Sequence, residues 1–246
     1  MSLQGGAQGS FIQGGAQRDG GPVNILFVLD ASYSMKEKLG NDERKMTAAK
    51  QVLQSALSRI PNDVNLGLRV FGQSFARDNP MADCMATTLL VPLGQHNRGA
   101  IIRQVNQIEP YGMTPLEYAI SQAAANDFRN VEGSKTLILI TDGADTCGGN
   151  PCAYVRSLPS LGIKLKVDVV GVDLKRDPTA RAQLHCVAEI SGGKYFDANT
   201  AAELVDSVSK SVGSAISGKV LPRAGASTSG KNSETTPELV PSNPNP

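Results

Sequence analysis

Oxygen-bearing side chains occur at three points of the chain where their spacing could bind a cation. The D-A-S-Y-S segment places the carboxylate of Asp30 and the hydroxyls of Ser32 and Ser34 at alternating positions. Two further oxygen groups follow much later, the hydroxyl of Thr114 and the carboxylate of Asp142. Such oxygens are hard ligands, which favour Mg²⁺, Mn²⁺ or Ca²⁺ over softer metals. These two carboxylates and three hydroxyls could therefore act together if the fold brought them to one point.

Predicted elements of secondary structure hold each of these three points. Asp30 directly follows an apolar strand, Val23–Leu29, and Asp142 comes just after another, Thr136–Ile140. Thr114 stands at the start of a predicted helix. In an open α/β sheet, ligands bind outside the carboxyl ends of the strands, at the point where the first and fourth strands lie side by side. We therefore expect the three loops to meet at this edge of the sheet.

The rest of the chain alternates apolar runs of strand length with amphipathic stretches of helical period, which favours a doubly wound α/β sheet with helices on both faces. The predicted strands are Val23–Leu29, Leu66–Phe71, Thr88–Leu93, Thr136–Ile140, Leu165–Val172 and Tyr195–Asp197. The predicted helices are Met46–Ile60, Ile101–Ile108, Leu116–Ala124 and Leu204–Ile216. The segment Gly72–Thr87 has no helical stripe, which favours an antiparallel hairpin at one edge. We expect a domain of residues 22–218 between disordered tails, 1–21 and 219–246.

Each of the three points also has a simpler structural explanation. The segment Thr114-Pro115-Leu116-Glu117 fits a capping box, with Thr as the N-cap and Glu at the third helical position. Asp30 and its serines could form an ordinary turn, and Asp142 with Gly143 could simply end a strand. The three points together, in this order, favour the cation site over these explanations.

The D-x-S-x-S loop, the Thr114-Pro115 turn and the Thr141-Asp142-Gly143 turn, in that order, resemble the metal-ion-dependent adhesion site of von Willebrand factor A-type domains. The resemblance covers about Val23 to Gly218 and implies a mostly parallel six-stranded sheet of order 3-2-1-4-5-6, with strand three antiparallel. It also implies the metal ligands. Ser32, Ser34 and Thr114 would bind through their hydroxyls, and Asp30 and Asp142 directly or through water.

The resemblance also implies a function, the metal-dependent binding of a protein partner whose Asp or Glu completes the metal shell. Tyr33 departs from the family pattern, which often has Gly there, but this position is a spacer and would shape only the rim. Two later segments, Thr146–Cys152 and Leu184–Glu189, resemble a bacterial, exported branch of the family. A scaffold subunit of a larger assembly, as in chelatase-like complexes, is the alternative function, and a metal-dependent hydrolase ranks third.

The four cysteines, Cys84, Cys147, Cys152 and Cys186, fit either two disulfides in an exported protein or reduced thiols in a cytoplasmic one. The first 21 residues lack the basic start and apolar stretch of a signal peptide. With the strand order that the resemblance implies, Cys84 and Cys186 lie at opposite sheet edges, too far apart for the roughly 7 Å that a disulfide spans. This order favours the pairs Cys84–Cys147 and Cys152–Cys186 over local closure between Cys147 and Cys152.

Composition argues against several other functions. The chain carries 24 basic and 23 acidic residues, and aromatics make up 4% with no Trp, so it lacks the basic, stacking surface of a nucleic-acid-binding protein. No apolar run approaches the roughly 20 residues of a membrane span. The only histidines, His96 and His185, form no nucleophile-base pattern, and no phosphate-binding glycine loop occurs. We therefore expect a monomeric binding module and not an enzyme.

Overall fold

A six-stranded sheet forms the centre of the computed structural model, which describes residues 21–40, 43–74 and 79–217. The strands are β1 (Val23–Asp30), β2 (Lys38–Leu39), β3 (Glu43–Arg44), β4 (Asn65–Phe71), β5 (Thr87–Gly94), β6 (Ser134–Thr141), β7 (Lys166–Val172) and β8 (Tyr195–Ala198). The α-helices are α1 (Lys45–Arg59), α2 (Pro80–Cys84), α3 (Arg98–Gln107), α4 (Leu116–Gln122), α5 (Pro151–Ser157), α6 (Pro178–Ile190) and α7 (Ala201–Ser217). Apart from Gly21, the predicted tails lie outside the described residues.

The order of the strands in the sheet is β5-β4-β1-β6-β7-β8, which confirms the predicted order. β5 pairs antiparallel with β4, and the other neighbours are parallel. Because β1 pairs with β4 on one side and β6 on the other, its carboxyl end is the switch point of the sheet. Leu29 lies opposite Ile140 in the register. The loops that follow β1 and β6 therefore leave the sheet next to each other.

Helices cover both faces of this sheet, so all eight residues of β1 are buried. Alternate β1 side chains point to opposite faces. Ile25 and Phe27 pack in the core formed with α1, α3 and α7, whereas Leu26 and Val28 pack with α4, α5 and α6. Within the described residues, no helix is long and apolar enough to cross a membrane.

Five elements, β2, β3, α2, α5 and α6, were not among the predicted strands and helices. The two-residue strands β2 and β3 pair as a small antiparallel ribbon, too short to produce an alternating pattern. The five-residue helix α2 interrupts the predicted hairpin connection, and Asn79 caps it by accepting from the Ala82 N–H. The helix α6 had a detectable signal, since Asp177 caps it and Pro178 occupies the first helical position.

Both predicted disulfides are present. Cys84 at the end of α2 bonds Cys147 in the loop after β6, with Cα atoms 5.4 Å apart. Cys152 of α5 bonds Cys186 of α6, with Cα atoms 5.6 Å apart. The second pair forms because α5 and α6 lie side by side on one face of the sheet. The first pair fixes α2 to the loop that follows β6, at the carboxyl edge of the sheet.

Removing either disulfide is expected to destabilise the domain. The linked residues are 63 and 34 positions apart, so each bond restricts a long loop of the unfolded chain. Replacing one pair by serines should lower the free energy of unfolding by about 2–4 kcal/mol. Urea denaturation of the two double variants, compared with the oxidised wild type, measures this loss. Unchanged midpoints in both variants would contradict the assigned pairs.

Candidate metal centre

The loop after β1, the loop after β4 and the segment before α4 meet through their backbones at the carboxyl edge of the sheet. The Ala31 N–H donates to the carbonyl of Phe71 at 2.8 Å, which joins the loop after β1 to the end of β4. The Tyr33 N–H donates to the Gly112 carbonyl at 2.9 Å, and the Gly112 N–H donates to the Gly72 carbonyl at 2.7 Å. These bonds hold the segment before Thr114 against the Asp30–Ser34 loop.

Two glycines make this close approach possible. Gly72 has a φ of +73°, and a Cβ there would lie 2.6 Å from the backbone nitrogen of Ser32. A Cβ on Gly112 would lie 2.2 Å from the carbonyl oxygen of Ser74. Backbone atoms cannot yield as a flexible side chain can, so a side chain at either position would force the loops apart. The sequence motif did not include these two residues, although the site depends on them.

The serines of the first loop and the aspartate of the later loop are in direct contact. The Oγ atoms of Ser32 and Ser34 are 3.1 Å apart. Ser34 Oγ donates to Asp142 Oδ1 at 2.7 Å, across 108 residues of sequence. Ser32 and Asp142 are both buried. Sequence reasoning expected these three side chains to converge, and the structure brings them together.

Asp30 lies beneath these groups and is fully buried. The Ser32 N–H donates to its Oδ1 at 2.7 Å, and Thr141 Oγ1 donates to its Oδ2 at 2.5 Å. Burial raises the pKa of Asp30 to about 7, and the nearby charge of Asp142 adds to this effect. The ionised form of Asp30 therefore lacks a compensating positive charge in this arrangement.

Thr114 is buried, and its loop is held by the loop after β6. The Thr114 N–H donates to Thr146 Oγ1 at 2.8 Å, and the Thr146 N–H donates to the Thr114 carbonyl at 3.0 Å. The capping box, the simpler explanation of this segment, does not form, because α4 begins at Leu116 and the Glu117 N–H donates to Asp145 at 3.0 Å. The Glu117 carboxylate accepts from the backbone of Asn150 instead of reaching back to Thr114.

Asp145 was not singled out in the sequence, yet it organises this part of the site. Besides the Glu117 N–H, its carboxylate accepts from the backbone N–H groups of Cys147 at 2.8 Å and Gly149 at 2.9 Å. The loop after β6 is thereby folded around one side chain. Its bonds join Asp145 to the start of α4, so Thr114 is fixed relative to Asp142.

Lys45, the first residue of α1, was also missed, and its ammonium group lies inside the site. Its Nζ atom is 3.0 Å from both Asp142 Oδ2 and Glu37 Oε2, and only 4% of the residue is exposed. Burial alone would lower the pKa of Lys45, but its contacts with Asp142 and Glu37 outweigh burial and raise it. Burial raises the pKa of Asp142, and the Lys45 charge opposes that effect only in part.

The donor set fits a hard divalent cation. Two buried carboxylates, Asp30 and Asp142, stand with three hydroxyl side chains at one edge of the sheet, and one ammonium offsets only part of their charge. In the chain segments that the structure describes, no group of three or more His, Cys, Asp or Glu has the arrangement of a metal site. Oxygen donors with so few charges suit Mg²⁺ better than zinc or copper.

Comparison with known proteins supports the fold. The family model of the von Willebrand factor type A domain matches residues 24–210. The protein YwmC of Bacillus subtilis (strain 168) is 31% identical over 182 residues, which cover 73% of this chain and 78% of YwmC.

Two solved structures share the architecture at low identity. The pilus adhesin SpaC of Lactobacillus rhamnosus GG superposes with a TM-score of 0.63 at 17% identity, over 82% of this chain and 31% of SpaC. Proximal thread matrix protein 1 of the mussel byssus, solved with a zinc-occupied MIDAS motif, gives a TM-score of 0.57 at 19% identity, over 78% of this chain and 45% of its own. These two similarities concern the fold alone, whereas the family model and YwmC match the sequence itself. On that sequence match, this chain belongs to the von Willebrand factor type A domain family.

Proposed function

We propose that the domain binds one divalent cation, with Mg²⁺ as the first candidate, and through it a carboxylate of a partner protein. The ligands would be Asp30, Ser32, Ser34, Thr114 and Asp142. The contact between Ser34 and Asp142 carries the proposal, because it joins two distant motifs beside a second buried carboxylate. The bound ion would supply positive charge at the surface, to which an Asp or Glu side chain of the partner binds.

The surroundings of the site support a binding role over a catalytic one. His185 stacks on the ring of Tyr195, with centroids 3.9 Å apart, and His96 lines a small cavity with Pro61 and Val64. Neither histidine is placed to activate a nucleophile at the ligand cluster. SpaC is a pilus adhesin and proximal thread matrix protein 1 belongs to the mussel byssus, and both share this fold. We propose that this domain is likewise a protein-binding module and not an enzyme.

Two disulfides favour a protein that works outside the reducing cytoplasm. We therefore propose that the domain is exported and meets its partner in the periplasm, a lumen or at the cell surface. A monomeric domain suffices, since all five proposed ligands come from one chain.

The test is a comparison of captured proteins with and without the ion. The immobilised domain is incubated with an extract of exported and surface proteins, in Mg²⁺ or in EDTA, beside Asp142→Ala and Tyr33→Gly variants. A partner should be retained by the wild type in Mg²⁺ and lost in EDTA and with Asp142→Ala. The Tyr33→Gly variant controls for loop changes and should still bind Mg²⁺ by calorimetry. The same proteins retained under all conditions would contradict the proposal.

Replacing Lys45 by methionine is expected to tighten Mg²⁺ binding on the order of tenfold, because its ammonium offsets one of the two negative charges of the site. The same change should lower stability in EDTA, since it breaks a buried ion pair. Calorimetry gives the affinity, and thermal unfolding with and without Mg²⁺ gives the stability. Lys50→Met is the matched control, because Lys50 lies on the same helix and pairs with Glu109 at the surface. Equal affinities of the two variants would show that Lys45 does not tune the site.

A further inference from the structure

Large apolar side chains are exposed mainly around the ligand cluster. Among the described residues, the exposed ones are Tyr33, Met81, Met85, Tyr111, Leu161 and Val205. The first four lie in loops and in the short helix α2 at the carboxyl edge of the sheet, where the ligand cluster is. Leu161 lies before β7 at the opposite edge, and Val205 lies on α7. Exposed Tyr and Met side chains gathered in one region, unlike scattered ones, are typical of an interaction surface.

The first part of this surface is a pair of tyrosines. Tyr33 lies between the two proposed serine ligands and is 65% exposed, and Tyr111 directly precedes Gly112. The Nζ atom of Lys36 lies 4.7 Å from the ring centroid of Tyr33 and 4.2 Å from that of Tyr111. The Lys36 ammonium therefore contacts both rings and adds a positive charge to this side of the site, besides those of the proposed ion and Lys45.

The second part is a methionine-lined cavity of about 210 Å³. Its lining includes Met81 and Met85 together with Pro115, Tyr118 and Cys147. Pro115 directly follows the proposed ligand Thr114, so the cavity adjoins the ion site. Cys84 and Cys147 also line the cavity, and their disulfide fixes α2 to the loop after β6 there. Methionine side chains adapt to differently shaped apolar partners.

The charges on this surface indicate which chemical groups of a partner fit each part of it. The centre and the tyrosine side are positive, from the proposed ion and Lys36, which suits an anionic group. The cavity also contains the carboxylate of Glu117, which would repel a second anion there. An uncharged, apolar side chain is therefore the matching occupant of the cavity.

We propose that Tyr33, Tyr111, Met81 and Met85 form a docking surface for a protein segment in which one carboxylate is flanked by large apolar side chains. The proposal rests on the proposed function, because the carboxylate is the group that the ion binds. It adds that the apolar neighbours of this carboxylate determine which segment is recognised. Their burial against the methionines and tyrosines should tighten binding on the order of tenfold.

The probes are three short capped peptides. The first has a central Asp flanked on both sides by leucines, and the second has the same Asp flanked by serines. The third keeps the leucines and replaces the Asp by Asn. Binding is measured by fluorescence anisotropy in Mg²⁺ and in EDTA. The protein carries ¹³C-methyl methionine, and the buried Met35 and Met46 serve as internal references. In Mg²⁺ the leucine–Asp peptide should bind about tenfold more tightly than the serine peptide and shift the methyl signals of Met81 and Met85. The Met81→Ser/Met85→Ser variant should lose this preference, whereas Leu161→Ser should keep it.

The outcomes separate this surface from the ion site. Equal Mg²⁺-dependent binding of the leucine and serine peptides would overturn the docking surface and leave the ion's role intact. Leucine-dependent binding that persists in EDTA and with the Asn peptide would support the surface and contradict the ion's role. No binding of any peptide would overturn both. Methyl shifts of Met81 and Met85 that depend on protein concentration alone would assign the surface to a second copy of the chain and overturn the proposed partner.

Discussion

Replacing Asp30 by asparagine is expected to weaken Mg²⁺ binding by on the order of a hundredfold or more. Asp30 supplies one of two buried carboxylates in the ligand cluster, and a neutral amide removes its charge. At an effective dielectric constant of about 20, opposite unit charges roughly 4 Å apart attract by about 4 kcal/mol, which exceeds the roughly 3 kcal/mol of a hundredfold change. Calorimetric titration of the oxidised protein with MgCl₂ measures the difference.

The asparagine variant is expected to fold, because its amide oxygen can still accept from the Ser32 N–H, and the Thr141 hydroxyl can turn to accept from its amide NH₂ group. Tyr33→Gly is the matched control from the same loop, since its side chain is exposed and is not a proposed ligand. The control should bind Mg²⁺ as the wild type does. If Asp30→Asn bound Mg²⁺ with unchanged affinity, this cluster would not be the ion site.

The sheet could be predicted from sequence because its strands are buried on both faces. Strands such as β1 and β6 then appear as continuous apolar runs, and the polar residues that end them are conspicuous. The strand order came from the family resemblance, and the disulfide pairs followed from that order. The small elements were missed because α2 and the β2–β3 ribbon contain too few residues to show a period.

The candidate site could be predicted only in its polar side chains. The contact between Ser34 and Asp142 follows from two motifs that end neighbouring strands, so their types and spacing indicated it. Lys45 gave no such signal, because it stands among charged residues of both signs and its position depends on how α1 packs. The capping box that the sequence also allows does not form, for a related reason. Asp145 lies far from Thr114 in sequence, but its carboxylate accepts the N–H group that a local cap would have bound.

Metal-free protein is expected to lose stability as the pH rises from 5 to 8. Burial raises the pKa of Asp30 to about 7 in the folded state, far above the value of about 3.9 for an exposed aspartate. Between these two values the folded state keeps a proton that the unfolded state has released, so raising the pH favours unfolding. The contribution of Asp30 to this loss is about 3 kcal/mol between pH 5 and pH 8, and the raised pKa of Asp142 acts in the same direction.

Urea denaturation in EDTA at several pH values measures this loss, and Asp30→Asn is its control. The variant cannot ionise at that position, so its midpoint should fall much less between pH 5 and pH 8. Mg²⁺ should restore the stability of the wild type at pH 8, because the ion offsets the negative charge of the buried Asp30 carboxylate. At an ion concentration about 100 times the dissociation constant, the gain is about 2.7 kcal/mol. Equal pH dependence of wild type and variant would mean that Asp30 is ionised throughout this range and that its burial does not govern the stability of the metal-free domain.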